Sequence, residues 1–226
     1  GYSEGVRFWI PETYENNVKD CVKFVQIVKD LHKENVPLFL MGDSYGGTLT
    51  LHTAHHFQDT GTVDSFIVTA CAVKGDVPPA PVVSILAFLA GYYPLWTPFF
   101  MPHPVTAKRI WKDLEVLKSR TDPRFVEMAI DGAGRKFRLG TGLGLLKATK
   151  DVRNKIIPKL TLPFLAIHGT DDYAVPIADT EFLIENSAST KKKFVRQEGG
   201  YHDLLADPAA EDCMKEIIDW IDGRLR

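Results

Sequence analysis

The chain has 226 residues, of which 45% are hydrophobic and 25% charged, a composition that excludes a disordered or collagen-like protein. With 27 Lys and Arg against 29 Asp and Glu, the net charge is −2, so no sequence-wide attraction for nucleic acid or an anionic membrane is expected. The three cysteines, Cys21, Cys71 and Cys213, lack CxxC spacing, which predicts neither a zinc site nor a disulfide framework. They suit a reducing compartment, so we expect a cytoplasmic or peripheral membrane protein. Because Gly1 is not a start methionine, the sequence does not decide whether a targeting signal precedes it.

The first third of the chain alternates between helical and strand patterns. Apolar residues from Val18 to Leu31 recur at helical spacing and predict an amphipathic helix over about 13–33. The short apolar run Leu38–Met41 then predicts a strand buried on both faces, as in parallel sheets. A second helix is predicted over about 46–57. Further strands are predicted at 66–69, 164–167 and 193–197.

The end of the chain predicts a helix. Asp207 suits the N-cap and Pro208 the first helical position. One apolar face is predicted to carry Met214, Ile217, Ile218, Ile221 and Leu225. Strands that alternate with helices indicate an α/β fold with a mostly parallel sheet and helices on both faces.

The segment 77–150 interrupts this alternation, and we interpret it as a lid inserted between two parts of one core, 1–76 and 151–226. It is rich in proline at its start and contains no charged residue from Val77 to Ala107. The twenty uncharged residues Val82–Met101 have the length of a membrane span, but Gly91, Pro94 and Pro98 interrupt them. A span would also separate the serine motif described next from the last third of the chain. We therefore predict a helical lid with an apolar face.

The sharpest motif is G-x-S-x-G at Gly42–Gly46, between an apolar strand and a helix. This context is typical of a nucleophile elbow. The tight turn admits only small residues two positions before and two after the serine, which accounts for Gly42 and Gly46. It presents the Ser44 hydroxyl at the carboxyl end of the sheet, where ligands bind in open α/β folds. The backbone N–H of Tyr45, at the helix N-terminus, is expected to face an oxyanion.

A serine nucleophile needs a base, and the base needs a carboxylate that orients it. In this architecture the chain order is serine, acid, histidine. His202 follows the last predicted strand, and the acid candidates Asp171 and Asp172 follow the strand before it. Both loops follow strand ends, so both can converge on Ser44. The alternative is that the aspartates cap the next helix and that His202 is a surface residue.

Two further patterns carry less information. His52, His55 and His56 share one helix at a spacing that can hold a metal, but no glutamate accompanies them as in H-E-x-x-H, so we expect an exposed helix face. Gly140, Gly142 and Gly144 hint at a nucleotide loop, but they follow no predicted strand. We predict no metal site.

On these motifs, the chain resembles the monoacylglycerol lipase and lysophospholipase group of serine α/β-hydrolases, also described as serine aminopeptidase-like. Gly1–Gly5 resembles the end of the family's R-G-H-G-x-S-E-G stretch, and Gly42–Gly47 its G-x-S-M-G-G elbow, with Tyr45 in place of the usual methionine. His168–Pro176 fits the family's H-G-x-x-D-x-x-V-P pattern, which assigns the acid to Asp172. The pair Tyr201-His202 fits its aromatic-histidine pair. The resemblance covers essentially the whole chain, although the lid matches in character more than in residues.

The resemblance implies an α/β-hydrolase fold with a helical lid. Family members carry roughly the first third of the domain before the G-x-S-E-G stretch, including several sheet strands and a loop that supplies a second oxyanion N–H. On this comparison we expect the N-terminal strands to be absent from this chain, and we expect the chain by itself to be a poor enzyme.

The resemblance also implies a serine hydrolase that cleaves monoacylglycerol or lysolipid-type esters through an acyl-enzyme, with Ser44, His202 and Asp172 as catalytic residues and no cofactor. The apolar lid would receive the acyl chain and touch a membrane surface transiently, with no nucleic acid partner. The expected substrate contacts are Phe88, Tyr92, Tyr93, Leu95, Trp96, Phe99 and Phe100. The alternatives are a phenolic-ester esterase, a peptidase or a perhydrolase on the same fold, and a non-catalytic binding module. The sequence does not predict the oligomeric state.

Overall fold

One parallel sheet organises the part of the chain that can be described. The computed structural model describes residues 14–32, 36–74, 78–99, 107–122, 138–206 and 208–225. Within these ranges the sheet has four strands in the order β1-β2-β3-β4. Their bounds are β1 Phe39–Asp43, β2 Ser65–Thr69, β3 Phe164–Gly169 and β4 Lys192–Gln197.

The strand register brings the ends of three strands to one edge of the sheet. Asp43 lies opposite Thr69, and Gly169 opposite Gln197. Because all neighbouring strands are parallel, the loops after β1, β3 and β4 leave from the same carboxyl edge. The Ser44, Asp172 and His202 loops are these three.

The central strands are buried and the first strand is not. Every residue of β2 and β3 is buried, and both strands lie where strands were predicted, at 66–69 and 164–167. The prediction that Leu38–Met41 is buried on both faces is wrong, because Met41 is 45% exposed and Phe39 and Leu40 are half-buried. In the described part of the chain β1 has a strand on one side only, so its side chains are covered incompletely.

The helices lie close to their predicted places. The helix predicted over 13–33 is α1, and the helix predicted over 46–57 is α2. The bounds are α1 Tyr14–Leu31, α2 Tyr45–Phe57, α3 Ala80–Tyr92, α4 Ala107–Ile110, α5 Leu114–Thr121, α6 Leu139–Asp151, α7 Ile177–Asn186 and α8 Ala210–Leu225. A π-helical turn at Val152–Ile156 and a 3-10 turn at Ile157–Lys159 continue from α6.

Two apolar clusters cover the two faces of the sheet. Side chains alternate along a strand, so Phe66 and Phe164 point to one face, where their stacked rings are 4.9 Å apart. There they pack with residues of α1, α2 and α7, among them Leu51 and Leu183. On the opposite face Ile67, Leu165 and Ile167 pack against α8. Full burial of each such side chain contributes about 1.5–3 kcal/mol. The predicted fold class, with helices on both faces, therefore describes the structure.

The C-terminal helix differs from its prediction. It begins at Ala210, two residues after Pro208, while Asp207 lies outside the described residues. Its inward face carries Cys213, Ile217, Trp220 and Ile221. The predicted face is therefore wrong in part, because Met214, Ile218 and Leu225 are exposed. Periodicity found an apolar stripe but not its centre, since Trp220 and Cys213 complete the buried side.

Two local predictions are also wrong. The helical spacing of Trp111, Leu114 and Leu117 in the sequence predicts one helix through all three, but Trp111 lies between α4 and α5 and is buried. His52 was expected on an exposed face, but it is buried against the ring of Tyr14, 5.0 Å between centroids, with its Nε2 3.3 Å from the Ala148 carbonyl. This histidine therefore packs α2 against α1 and α6. The glycines from Gly140 to Gly144 lie inside helix α6 rather than in a nucleotide loop.

The described part of the segment 77–150 consists of helices joined by turns and loops, with no strand. It contains α3, α4, α5 and α6, and α3 packs on α6 through Ala90 and Leu139 with three leucines around them. Among the described residues, no helix is both long and apolar enough to cross a membrane. The division into a core of 1–76 and 151–226 and a lid of 77–150 stays a prediction.

Candidate active site

Ser44 occupies the sharp turn between β1 and α2. Its φ of 53° and ψ of −118° lie in a region that side chains rarely adopt, at a cost of about 1–3 kcal/mol. Three backbone hydrogen bonds hold this conformation. The Ser44 N–H donates to the Thr69 carbonyl at 3.0 Å, and the Ser44 carbonyl accepts from the N–H groups of Thr48 at 3.3 Å and Ala72 at 3.2 Å.

Two glycines make room for this turn. A Cβ on Gly42 would lie 2.3 Å from the Gly46 carbonyl oxygen, and a Cβ on Gly47 would lie 2.8 Å from the Cys71 Sγ. Neither position tolerates a side chain without movement of its neighbours. The explanation offered for Gly46 is wrong, because a Cβ there would meet nothing within 4 Å. The crowded positions are therefore Gly42 and Gly47.

Ser44, His202 and Asp172 form a continuous chain of hydrogen-bonding distances. The Ser44 Oγ lies 2.9 Å from His202 Nε2, and His202 Nδ1 lies 2.8 Å from Asp172 Oδ2. When Nδ1 carries the proton and donates to the carboxylate, Nε2 is free to accept from the serine hydroxyl. This arrangement can move a proton from Ser44 to His202 while Asp172 stabilises the resulting imidazolium. The acid candidate that faces His202 is Asp172, and Asp171 is exposed.

Four N–H groups surround the buried carboxylate of Asp172. Its Oδ1 accepts from the backbone of Ala174 at 2.7 Å and Val175 at 2.9 Å, while Oδ2 faces His202 and lies 3.2 Å from His168 Nε2. Burial alone would raise the pKa of Asp172. The hydrogen bonds from His168, His202 and Val175 outweigh burial and hold the pKa well below its usual range. Asp172 is therefore a permanent anion at neutral pH.

His168 is a functional candidate that sequence reasoning used only as part of a motif. It is fully buried, and its Nε2 faces both the Val175 carbonyl at 2.9 Å and Asp172. Because both neighbours accept, Nε2 must carry a proton, and Nδ1 lies within hydrogen-bonding distance of the Thr180 hydroxyl, at 2.7 Å. The Nε2–H of His168 therefore helps to hold the acid in place. Its position four residues before Asp172 was the available signal.

The histidine loop is tied to the acid loop at its base. Gly199 N–H donates to Thr170 Oγ1 at 2.8 Å, and Asp171 N–H donates to the Gly200 carbonyl at 3.0 Å. A Cβ on Gly169 would lie 2.2 Å from that carbonyl oxygen, so the two loops approach as closely as backbones allow. The separation of His202 from Asp172 is therefore set by backbone contacts.

The electrostatics of His202 favour its protonated form. The side chain is almost completely buried, which by itself lowers its pKa. The hydrogen bond to Asp172 and the negative charges of Asp172, Asp43 and Asp203 outweigh this, and the pKa of His202 is raised above its ordinary value of 6.5. A base of this kind is active where its neutral form is populated.

The predicted oxyanion donor lies at the start of α2. Tyr45 is the first residue of that helix, so its backbone N–H is among those without an acceptor inside the helix. It follows Ser44 directly, and the helix dipole favours negative charge at this end. Its role as an oxyanion donor stays a proposal.

The predicted acyl contacts lie on α3 and the turn that follows it. They are 44% to 86% exposed, and Phe100 lies outside the described residues; the described members are Phe88, Tyr92, Tyr93, Leu95, Trp96 and Phe99. A cavity of about 350 Å³ opens between α3 and α6, lined by residues such as Ala87, Leu143 and Leu146. None of the predicted contacts lines that cavity. In the described residues no group of three or more His, Cys, Asp or Glu could hold a metal ion.

Comparisons with known proteins agree with this architecture. Residues 1–209 match the family described as serine aminopeptidase, S33. All of the chain aligns with monoglyceride lipase of Rattus norvegicus at 29% identity and with caffeoylshikimate esterase of Arabidopsis thaliana at 27%, spanning 71% and 67% of those proteins. It spans only 22% of an uncharacterized abhydrolase domain-containing protein of Dictyostelium discoideum, at 26% identity.

A solved structure shares the fold. It is a soluble variant of monoglyceride lipase from Saccharomyces cerevisiae in complex with a substrate analog, and it superposes with a TM-score of 0.75 over 99% of this chain and 72% of that chain, at 18% identity. The resemblance inferred from the motifs is confirmed by the family match, and the predicted fold class by the shared fold. The chain belongs to the serine aminopeptidase S33 family and has the α/β-hydrolase fold.

Proposed function

We propose that the chain is a serine hydrolase that cleaves carboxylic esters of the monoacylglycerol or lysolipid type through an acyl-enzyme. The observation that carries this proposal is the unbroken sequence of contacts from Ser44 Oγ through His202 to Asp172. The relatives named monoglyceride lipase supply the substrate class. The expected location, cytoplasmic or peripheral to a membrane, remains part of the proposal.

In the proposed reaction Ser44 Oγ attacks the acyl carbonyl while His202 Nε2 takes the serine proton. The carbonyl oxygen becomes an oxyanion, which the Tyr45 N–H stabilises. His202 then gives its proton to the leaving alcohol, and the C–O bond of the ester breaks to leave the acyl group on Ser44. Water adds to this acyl-enzyme with His202 as base, which releases the fatty acid and restores the serine. Asp172 stays ionised throughout and accepts the hydrogen bond from His202 Nδ1–H.

The proposed acyl site is the apolar face of α3 and the following turn. A contiguous patch of exposed apolar side chains, unlike a single one, marks contact with another apolar surface. Phe88 and Tyr92 contact each other on α3, with 5.3 Å between ring centroids, so they form a small continuous patch. We propose that this face receives the acyl chain and contacts a membrane surface transiently during substrate capture.

A fluorophosphonate probe tests the nucleophile. It should label the full-length wild-type protein at Ser44, because attack on phosphorus needs the same base as attack on an ester. Ser44→Ala should abolish labelling and ester hydrolysis, whereas Ser84→Ala, which removes a hydroxyl on exposed helix α3, should change neither. Labelling that survives Ser44→Ala would falsify the assignment.

A phenolic-ester esterase is the second candidate. The observation in its favour is the 27% identity to caffeoylshikimate esterase, nearly the same as to the rat lipase. Turnover of glycerol esters with acyl chains of increasing length, compared with that of a phenolic-acid ester, separates the two candidates. A preference for the phenolic-acid ester would replace the lipid substrate while leaving the serine mechanism unchanged.

A further inference from the structure

A three-residue segment of the predicted lid contacts the His202 loop on both sides of the histidine. The indole Nε1–H of Trp111 donates to Asp203 Oδ2 at 2.7 Å, and the Asp203 N–H donates to the Ile110 carbonyl at 3.2 Å. On the other side, Lys112 Nζ donates to the Gly199 carbonyl at 2.7 Å. Residues 110–112 therefore form hydrogen bonds with the loop on both sides of His202.

The hydrogen bond between Trp111 and Asp203 satisfies a buried donor and restrains a carboxylate beside His202. Trp111 is only 4% exposed, so its N–H needs an acceptor, and a carboxylate is the strongest one available. Asp203 directly follows His202, where an unrestrained carboxylate could compete with Asp172 for the imidazole. The indole fixes one oxygen of Asp203. The Lys112 ammonium also lies 5.7 Å from the Tyr201 ring centroid, directly before His202.

We propose that Ile110-Trp111-Lys112 is a positioning segment that holds His202 in line between Ser44 and Asp172. The proposal rests on the proposed serine-hydrolase function. None of the three residues contacts the reacting atoms, and they act through Asp203 and Gly199. Because the segment lies between α4 and α5, movement of this part of the lid would be transmitted to the catalytic base.

The test variant is Trp111→Phe, which keeps an aromatic ring and deletes the N–H. The matched control is Trp220→Phe on helix α8. It also deletes an indole hydrogen bond, which Trp220 donates to Ser65 Oγ at 2.9 Å. With a short acetate ester, Trp111→Phe should lower kcat roughly tenfold with KM unchanged, because a hydrogen bond to a charged group is lost. Trp220→Phe should change kcat less than about twofold.

Asp203 separates positioning from simple packing. Asp203→Asn still presents an oxygen to the indole and should keep most of the activity, whereas Asp203→Ala should lose about as much kcat as Trp111→Phe. The double variant Trp111→Phe with Asp203→Ala should lose no more than either single variant, because both remove the same bond. The contact between Lys112 and the Gly199 carbonyl is tested separately. Lys112→Met should lower kcat, whereas Lys118→Met, which loses only an exposed salt bridge with Glu115, should not.

The outcomes are distinguishable. A full-length wild-type protein that neither hydrolyses the acetate ester nor reacts with fluorophosphonate at Ser44 refutes the proposed function and this proposal with it. An active wild type in which Trp111→Phe equals Trp220→Phe refutes only the positioning segment. Three other results would also refute the positioning segment. They are an equal loss of kcat in Asp203→Asn and Asp203→Ala, an additive loss in the double variant, and an effect confined to KM. Melting temperatures identify any variant that fails to fold. If Trp111→Phe fails to fold, the comparison of kcat between Asp203→Asn and Asp203→Ala decides whether the segment positions His202.

Discussion

Replacing Asp172 by Asn tests the electrostatic centre of the candidate site. All four contacts of the carboxylate come from N–H groups: His202, His168, Ala174 and Val175. An amide offers one oxygen and one NH2 group, so the NH2 must face donors in either orientation. The substitution therefore changes hydrogen bonding without changing the shape of the side chain.

The two orientations have different consequences. If the amide NH2 faces His202, the imidazole must place its proton on Nε2 and can no longer accept from Ser44, which should lower kcat on the order of 10⁴-fold. If it faces the backbone, the N–H groups of Ala174 and Val175 lose their acceptor, which should cost about 2–4 kcal/mol of stability. Either way the anion that stabilises the imidazolium is lost, so we expect the kcat loss in both cases.

Hydrolysis of a short-chain ester and thermal melting measure the two effects together. The control is Asp171→Asn, since Asp171 is exposed and only its backbone N–H bonds the neighbouring loop. It should change kcat less than about twofold. Because the pKa of Asp172 is held below its ordinary 3.8, wild-type protein should lose this contribution to stability only as the pH falls below that value. Comparable losses in both variants, or an Asp172→Asn enzyme within tenfold of wild type, would refute the reasoning.

Two further predictions concern the base and the lid. Only neutral His202 takes the serine proton, so kcat/KM should rise with pH and reach half its maximum above pH 6.5. Asp43→Asn removes a nearby negative charge and should therefore move the midpoint of this rise to lower pH. A midpoint that moves to higher pH would contradict the electrostatic argument. In the lid, Trp96→Asp and Phe99→Asp should reduce kcat/KM for long-chain esters at least about tenfold more than for acetate esters, because a charge is unfavourable beside an acyl chain. Leu114→Asp is the control, because Leu114 is an apolar residue on α5 whose exposure of 68% lies between those of Trp96 and Phe99, and equal losses on both esters would indicate a packing role.

The sequence by itself determined the local features of this protein. The apolar run before Gly42 and the helical pattern after Gly46 predicted the strand–turn–helix around Ser44, and the strands β2 and β3 were predicted to within a residue or two of their bounds. Each of the Ser44, Asp172 and His202 loops follows a predicted strand, which indicated that the three loops meet at one edge of a parallel sheet. These features depend on residues close together in the chain, so their patterns are visible in the sequence.

The tertiary structure decided every contact between distant residues. Ser44 and His202 are 158 positions apart, and only the packed sheet shows that their side chains meet at 2.9 Å. Trp111 was predicted on a helix, and nothing in its surroundings indicated a hydrogen bond to Asp203. The buried side of α8 and the exposed side of β1 were missed for the same physical reason. Periodicity reports which residues share a face, whereas the neighbours that cover that face come from elsewhere in the fold.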